Sequence, residues 1–244
     1  LMKAMILAAG YGTRLHPLTL TLPKALVPLA GKPLLGIILE RLAAAGFDQI
    51  AVNAHHFSIQ IRAWLELHPL PGVQIHLSEE EEILGTGGGI KRMISLLGDD
   101  KPILVHNVDV LSALPLRSFY LSHARGRAVA TLAVQARSTK RYLVFDSRGD
   151  LCGRAGVEDG EAELVRAPQG RLRYLAFNGI QVIEPALFVG QAEKEFSSVD
   201  LYLEAAREQS VRGWRMDAWY WRDLGKPADL EAAERDIAAG LIRI

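Results

Sequence analysis

The chain contains one cysteine, no net charge and no long apolar run, and each shortage narrows what its 244 residues can be. With Cys152 alone, an internal disulfide is excluded. Lys+Arg and Asp+Glu each number 28, and no dense basic block occurs, so a nucleic-acid groove has little electrostatic support and any anion site must be local. No stretch approaches the roughly twenty apolar residues that cross a bilayer. The opening LMKAMILAAG is too short and too strand-like for a signal peptide, and a cytoplasmic location is expected. Leu1, ahead of Met2, reads as extraneous and carries no weight. What is abundant is hydrophobic residues, 49% of the chain, enough for a large core. The length suits one α/β domain over residues 2–244.

The richest stretch is Met5 to Pro33, MILAAGYGTRLHPLTLTLPKALVPLAGKP. Met5–Leu7 reads as a buried strand. Ala8, Ala9, Gly10 and Gly12 then let the backbone approach a ligand with its N–H groups exposed. Thr13 and Arg14 add donors, Arg14 as a planar fork for phosphate oxygens. Lys24, behind chain-stiffening Pro23, can return a point charge to the same ligand. A glycine-rich turn of this kind also serves merely to close a strand–helix connection. No GxxxxGK[ST] is present, Gly10-x-Gly12 lacks the third glycine of a dinucleotide fingerprint, and the following residues are Pro-rich, so P-loop and dehydrogenase readings lose their support.

Strand-like and helix-like segments alternate through the first half: Met5–Leu7, Leu34–Ala45, Gln49–Asn53, Ile59–Leu67, Val73–His76, Thr86–Leu97 and Ile103–His106. Alternation of this kind predicts parallel strands with right-handed crossovers. Leu35, Ile38, Leu39 and Leu42 recur at helical spacing, with Gly46 as a stop. Ligands of open parallel sheets sit beyond the carboxyl ends of the strands, where Ala8, Asn53 and Asn107 fall. In the second half, Ala128–Val134, Arg141–Phe145, Leu172–Phe177 and Ile180–Ile183 read as extended segments between turns, predicting an antiparallel lid over roughly residues 127–183. Ser198–Gln209 and Pro227–Ala239 return to helical patterning. The predicted fold is therefore α/β, a Rossmann-like, mainly parallel sheet flanked by helices with a small antiparallel lid.

LAAGYGTRLHPLT followed by LPKALVPLAGKP resembles the signature of the sugar-1-phosphate nucleotidyltransferases, the NDP-sugar pyrophosphorylases. LGTGGGI at Leu84–Ile90, LVHNVDVL at Leu104–Leu111, FNGIQVI at Phe177–Ile183 and YWRDLGKPADL at Tyr220–Leu230 extend the resemblance over essentially the whole chain. The short length and the TGGG run are most similar to single-domain uridylyltransferases and guanylyltransferase-like relatives. The resemblance implies the nucleotide-diphospho-sugar transferase fold and transfer of a nucleotidyl group from an NTP to a sugar 1-phosphate. It further implies Arg14, Lys24 and Asp109 as catalytic residues and Mg²⁺ held by Asp109 and Asp223. Leu7, Ala8, Ala9, Gly10, Gly12, Thr13, Arg14, Asn53, Gly85, Thr86 and Asp109 are expected at the nucleotide, and Lys24, Arg141, Gly153 and Asn178 at the sugar phosphate. With the chain stopping at Ile244, no C-terminal β-helix of the kind some members carry is expected, and a monomer or weak homodimer is.

The chemistry supports that set. Bringing two polyanions together at 4 Å costs about 4 kcal/mol per pair of unit charges at an effective dielectric of 20, so cations and oriented N–H groups are needed. The sugar phosphate oxygen is already ionised and needs orientation rather than a general base, so no nucleophilic residue is assigned. By position alone, Asp109 could instead cap a turn and Asp223 the last helix, while Gly153, Asn178 and Arg141 could be structural. Two departures from the family pattern stand out: Val108 where relatives carry glycine, and Lys226 where they carry threonine. They motivate an alternative, a non-catalytic nucleotide-sugar sensor of the same fold. The acidic run Glu79–Glu82 reads as a solvated loop, His55–His56 as local polar structure, and Trp214, Trp219 and Trp221 as packing.

Overall fold

The computed structural model describes residues 1–157 and 162–244; the lid expectation at 158–161 lies outside the described residues. In chain order the first strands are β1 (Lys3–Leu7), β2 (Pro28–Leu29), β3 (Lys32–Pro33), β4 (Gln49–Ala54), β5 (Gln74–Glu79), β6 (Ile103–Asn107) and β7 (Val110–Ser112). The later ones are β8 (Ala130–Gln135), β9 (Arg141–Phe145), β10 (Leu151–Gly156), β11 (Glu163–Leu164), β12 (Arg173–Ile183), β13 (Val211–Arg215) and β14 (Trp221–Asp223). The helices are α1 (Leu34–Ala44), α2 (Ser58–Leu67), α3 (Gly85–Leu97), α4 (Leu116–Ala124), α5 (Ser198–Ala205) and α6 (Pro227–Ala238).

The central sheet runs β5–β4–β1–β6 with all neighbours parallel, as the alternating first half predicts. Period-2 alternation along β1 sends Ala4 and Ile6 to one face and Met5 to the other. On the first face α1 buries Leu35, Ile38, Leu39 and Leu42; on the second, Ile90 and Met93 of α3 pack with Tyr202 of α5. The chain leaves α1 through Gly46, whose φ of 92° suits glycine and whose N–H closes onto Ala43.

Beyond β6 the sheet turns antiparallel, through β12, β9, β10 and β11. Here the sequence expectation needs correcting: Leu172–Phe177 and Ile180–Ile183 are one strand, β12, with a register shift between Phe177 and Gln181 where Gly179 takes a φ of 74°. The glycine makes a bulge rather than a break. Two further differences are α4, which the reading passes over, and α5, which ends at Ala205 rather than Gln209. Pro115 opens α4, and Leu116, Phe119, Tyr120 and His123 form its buried stripe. Among the described residues no helix is long and apolar enough to cross a membrane.

His106 on β6 is fully enclosed, and burial pulls its pKa down to about 4, the Asn107 carbonyl 2.8 Å from Nδ1 only partly offsetting this. The folded protein therefore keeps a neutral imidazole where the unfolded chain takes up a proton near pH 6.5. As pH falls from 6.5 towards 4, the unfolded state binds more protons and stability drops, by about 2–3 kcal/mol across the window. Urea unfolding at pH 7 and 4.5 measures this loss, which His106→Gln is expected to diminish.

Candidate active site

The site is set by where β1 ends. Leu7 pairs with Asn53 on one side and Asn107 on the other, so the carboxyl ends of three parallel strands finish in one row. The chain then crosses this row as Ala8, Ala9 and Gly10, and together with Asn53, Gly85, Thr86, Lys24 and Asp109 these residues line a cavity of ≈ 210 Å³. The Ala8 N–H donates to Asn53 Oδ1 at 2.7 Å, fixing the turn to β4. Gly10 is open on its Cβ side, with nothing within 4 Å.

Gly12 makes the bend that brings Lys24 back. Its φ is 67°, and a Cβ there would stand 3.0 Å from Thr19 Cγ2 and 3.1 Å from Lys24 Cβ, so the turn packs directly on the lysine stem. Thr19 Oγ1 donates to the Gly12 carbonyl at 2.8 Å and holds the loop closed. The Lys24 ammonium ion-pairs with Asp109 Oδ2, both side chains largely buried at 11% and 17% exposure. Thr13, by contrast, is exposed at the start of a short 3₁₀ turn, and neither it nor Gly12 lines the cavity.

Asp223 arrives from the far end of the sequence by strand pairing. β14 runs antiparallel to β7 with Asp223 opposite Val110, and the Leu224 N–H donates to the Asp109 carbonyl at 2.7 Å. The two aspartates are thereby locked onto adjacent backbone. Asp223 Oδ1 accepts the Gly225 N–H at 2.7 Å, a turn rather than a cap of α6, whose N-cap is Lys226. A Cβ on Gly225 would lie 2.5 Å from Asp223 Oδ1 and 2.6 Å from Arg14 Nη2, so guanidinium and carboxylate both crowd this glycine. Gly225→Ala is expected to displace both and lower turnover about a hundredfold with little change in melting temperature. Activity and thermal unfolding of the same preparation check it.

Arg14, Arg141 and Asp223 line a second, larger cavity of ≈ 990 Å³ bordered by β9 and β10, and none of the three lines the smaller one. Near it stands a residue the sequence reading missed, Arg137. Its guanidinium lies 3.8 Å over the Trp221 ring and donates to Asn178 Oδ1 and the Phe177 carbonyl, each at 3.0 Å. Burial lowers its pKa, against which the Asp223 charge works. No sequence spacing announces this contact.

The structure brings neither Gly153 nor Asn178 to these two cavities. Gly153 is buried between β9 and β11, where a Cβ would overlap the Glu163 carbonyl. Asn178 is 1% exposed and engaged throughout: it accepts from Arg137, donates to Gln135 Oε1 at 3.1 Å, and its carbonyl takes Trp221 Nε1 at 2.9 Å. Both are held in structural surroundings. Trp214 and Trp219 stack at 5.0 Å against the core.

Val108 fits without strain. It stands outside the positive-φ region, buries its side chain, and donates its N–H to the Leu7 carbonyl at 3.1 Å. Lys226 is exposed and lines neither cavity. Glu79–Glu82 requires correction, because Glu80 is not solvated: it is 5% exposed, lines the smaller cavity, and accepts from Asn53 Nδ2 at 2.7 Å. Charge density alone could not separate it from its exposed neighbours Glu81 and Glu82.

Comparison with known proteins gives matches over nearly the whole chain. The family model described as nucleotidyl transferase matches residues 3–240. The chain is 34% identical to N-acetylmuramate alpha-1-phosphate uridylyltransferase of Caulobacter vibrioides, over 96% of each chain. It is 31% identical to mannose-1-phosphate guanylyltransferase of Mycobacterium tuberculosis, over 98% of this chain and 65% of that one. The crystal structure of HddC from Yersinia pseudotuberculosis complexed with GMP-PN superposes with a TM-score of 0.75 at 21% identity, over 97% of this chain and all of that one, a likeness of fold.

Proposed function

The chain belongs to the nucleotidyl transferase family, and from that premise we propose that it transfers a nucleotidyl group from an NTP to a sugar 1-phosphate, releasing pyrophosphate. The observation that carries the reading is the pairing of β14 with β7. It supports the reading by joining the backbone of Asp223 to that of the segment after Asp109, whose carboxylate pairs with Lys24, while Arg14 and Asp223 both crowd Gly225.

Each residue then has a task set by its chemistry. Ala8, Ala9, Gly10, Gly85 and Thr86 shape the wall on which base and ribose lie, while Arg14 holds the triphosphate with its fork of donors. Lys24 bridges the reacting phosphates and offsets their repulsion. Arg141, on the lid strand β9 and lining the larger cavity, is free to meet the sugar phosphate. The ionised oxygen of that phosphate attacks the α-phosphorus in line, and pyrophosphate leaves from the opposite side. No side chain need take a proton.

A divalent cation fits the donor set. Two hard carboxylates, one at the end of β14 and one in the turn leading into β7, with substrate phosphates completing the shell, are what Mg²⁺ favours over an all-protein cage. Asp109 and Asp223 would hold it, and bound there it supplies charge neutralisation at the phosphates. Similarity to the uridylyltransferase makes UTP with an amino-sugar 1-phosphate the first substrate pair, and GTP with mannose 1-phosphate the second.

A pyrophosphate-release assay over a grid of NTPs and sugar 1-phosphates, with and without EDTA, tests the proposal. It expects one productive pair and no product with EDTA. Nucleotide binding with no pyrophosphate from any pair would overturn it in favour of a sensor.

A further inference from the structure

We propose that Arg137 is a positioning residue for the cation site: it holds Trp221 against the bulge of β12 and thereby sets the carboxylate of Asp223, two residues on; this rests on reading Asp109 and Asp223 as the cation's ligands. β14, which carries Asp223, is three residues long and pairs with β7 as a ribbon outside the central sheet. A two-stranded ribbon is marginal by itself, so its faces must be held from outside. Side chains alternate along a strand, which puts Trp221 and Asp223 on one face and Arg222 on the other. The Arg222 face is tied to α6, where Asp236 accepts from Arg222 Nη2 at 2.7 Å. On the face that carries Asp223, Trp221 is held between Arg137 and the bulge.

Arg137 uses its planar shape twice. Its face lies 3.8 Å over the Trp221 ring, while from its edge Nε donates to Asn178 Oδ1 and Nη2 to the Phe177 carbonyl, each at 3.0 Å. Trp221 Nε1 closes the triangle by donating to the Asn178 carbonyl at 2.9 Å. The bulge is itself seated beside the turn that bears Asp109, since a Cβ on Gly179 would stand 2.8 Å from Asn107 Nδ2 and 3.1 Å from Val110 Cγ2. The bulge thus touches residues on either side of the Asp109 turn and, through Trp221, the strand that carries Asp223. Arg137 fastens that strand to it.

Charge and position act on cation affinity with opposite signs. The Asp223 charge is felt at Arg137, so the guanidinium equally opposes a metal ion held there. If charge were its whole effect, removing Arg137 would tighten metal binding. A positioning role gives the reverse, because a ligand carboxylate freed to move binds less well. Lysine keeps the charge but cannot donate twice in one plane while lying flat on the indole.

The test titrates Mn²⁺ by water proton relaxation, alone and with a non-hydrolysable UTP analogue, and records melting temperature on the same samples. The proteins are wild type, Arg137→Met, Arg137→Lys, Asp223→Asn and Arg137→Met/Asp223→Asn. Arg137→Met and Arg137→Lys are each expected to weaken Mn²⁺ binding on the order of tenfold. In the Asp223→Asn background Arg137→Met is expected to cost nothing further, because the ligand it positions is gone; general loosening of the fold would add its loss in both backgrounds. In turnover, half-saturating Mg²⁺ rises with the Mn²⁺ constant while KM for the NTP at saturating Mg²⁺ holds. Tighter or unchanged Mn²⁺ binding in Arg137→Met, wild-type affinity in Arg137→Lys, or an equal further loss in the double variant would each overturn the proposal. So would a wild type that binds Mn²⁺ no better than Asp223→Asn. Should Arg137→Met not fold, Arg137→Lys carries the comparison. Absence of pyrophosphate from wild type defeats the transferase reading separately, and the Mn²⁺ titrations, which need no turnover, still decide Arg137.

Discussion

Asp109→Asn is expected to lower nucleotidyl transfer about a thousandfold while the protein stays folded. The change removes one negative charge and almost no volume from a site where two polyanions must meet. One unit of charge at 4 Å and an effective dielectric of 20 is worth about 4 kcal/mol, which converts to roughly a thousandfold in rate. The fold should tolerate it, since the bond that ties β14 here uses the Asp109 carbonyl, untouched by the substitution. The Lys24 ion pair is lost, but that side chain reaches the cavity and can be solvated. Pyrophosphate release and thermal unfolding on the same sample check both halves. A mutant retaining a tenth of wild-type turnover would mean that Asp109 only organises the turn after β6.

Lys24→Ala should be nearly as damaging, by about a hundredfold to a thousandfold, the range for deleting a preorganised cation or donor aimed at developing charge. Because Lys24 and Asp109 face each other, the two substitutions should not add. In Asp109→Asn/Lys24→Ala, turnover is expected well above the product of the single losses. Lys24→Arg should recover only part of the rate, since the ammonium is a compact point charge and the guanidinium a wide fork. Full activity in Lys24→Ala would place the reacting phosphates elsewhere. Steady-state kinetics on wild type and the four variants, with NTP saturating, settles the point.

Much of this arrangement is legible in the sequence because it is local. The strand Met5–Leu7, the glycines after it and the apolar stripe of α1 each follow from short-range spacing, and the structure realises them. The stripe of α4 was equally readable at Leu116, Phe119, Tyr120 and His123, behind Pro115. What was hidden depends on distant chain. Glu80 looks like its neighbours until Asn53 and Leu84 are folded against it. The glycines opening α3 enter the sequence reading as a motif without a packing reason, and the segment around Phe196 supplies one: a Cβ on Gly87 would overlap the Phe196 ring, and one on Gly88 the Lys194 carbonyl. Lys24 and Asp109 were assigned separate duties, phosphate and metal, and only the fold shows that they contact each other. Gly153 and Asn178 sit in matching motifs, yet motif position cannot reveal that Gly153 pairs with β11 or that Asn178 accepts from Arg137.

The central claim is that Asp109 and Asp223 together bind a cation at the triphosphate gripped by Arg14 and Lys24. A crystal structure with a non-hydrolysable NTP and Mn²⁺, with anomalous scattering recorded at the manganese edge, addresses it most directly. The account predicts an anomalous peak in contact with both carboxylates and with the bound triphosphate. A triphosphate seated away from the Gly12 bend, or manganese touching neither aspartate, would contradict it.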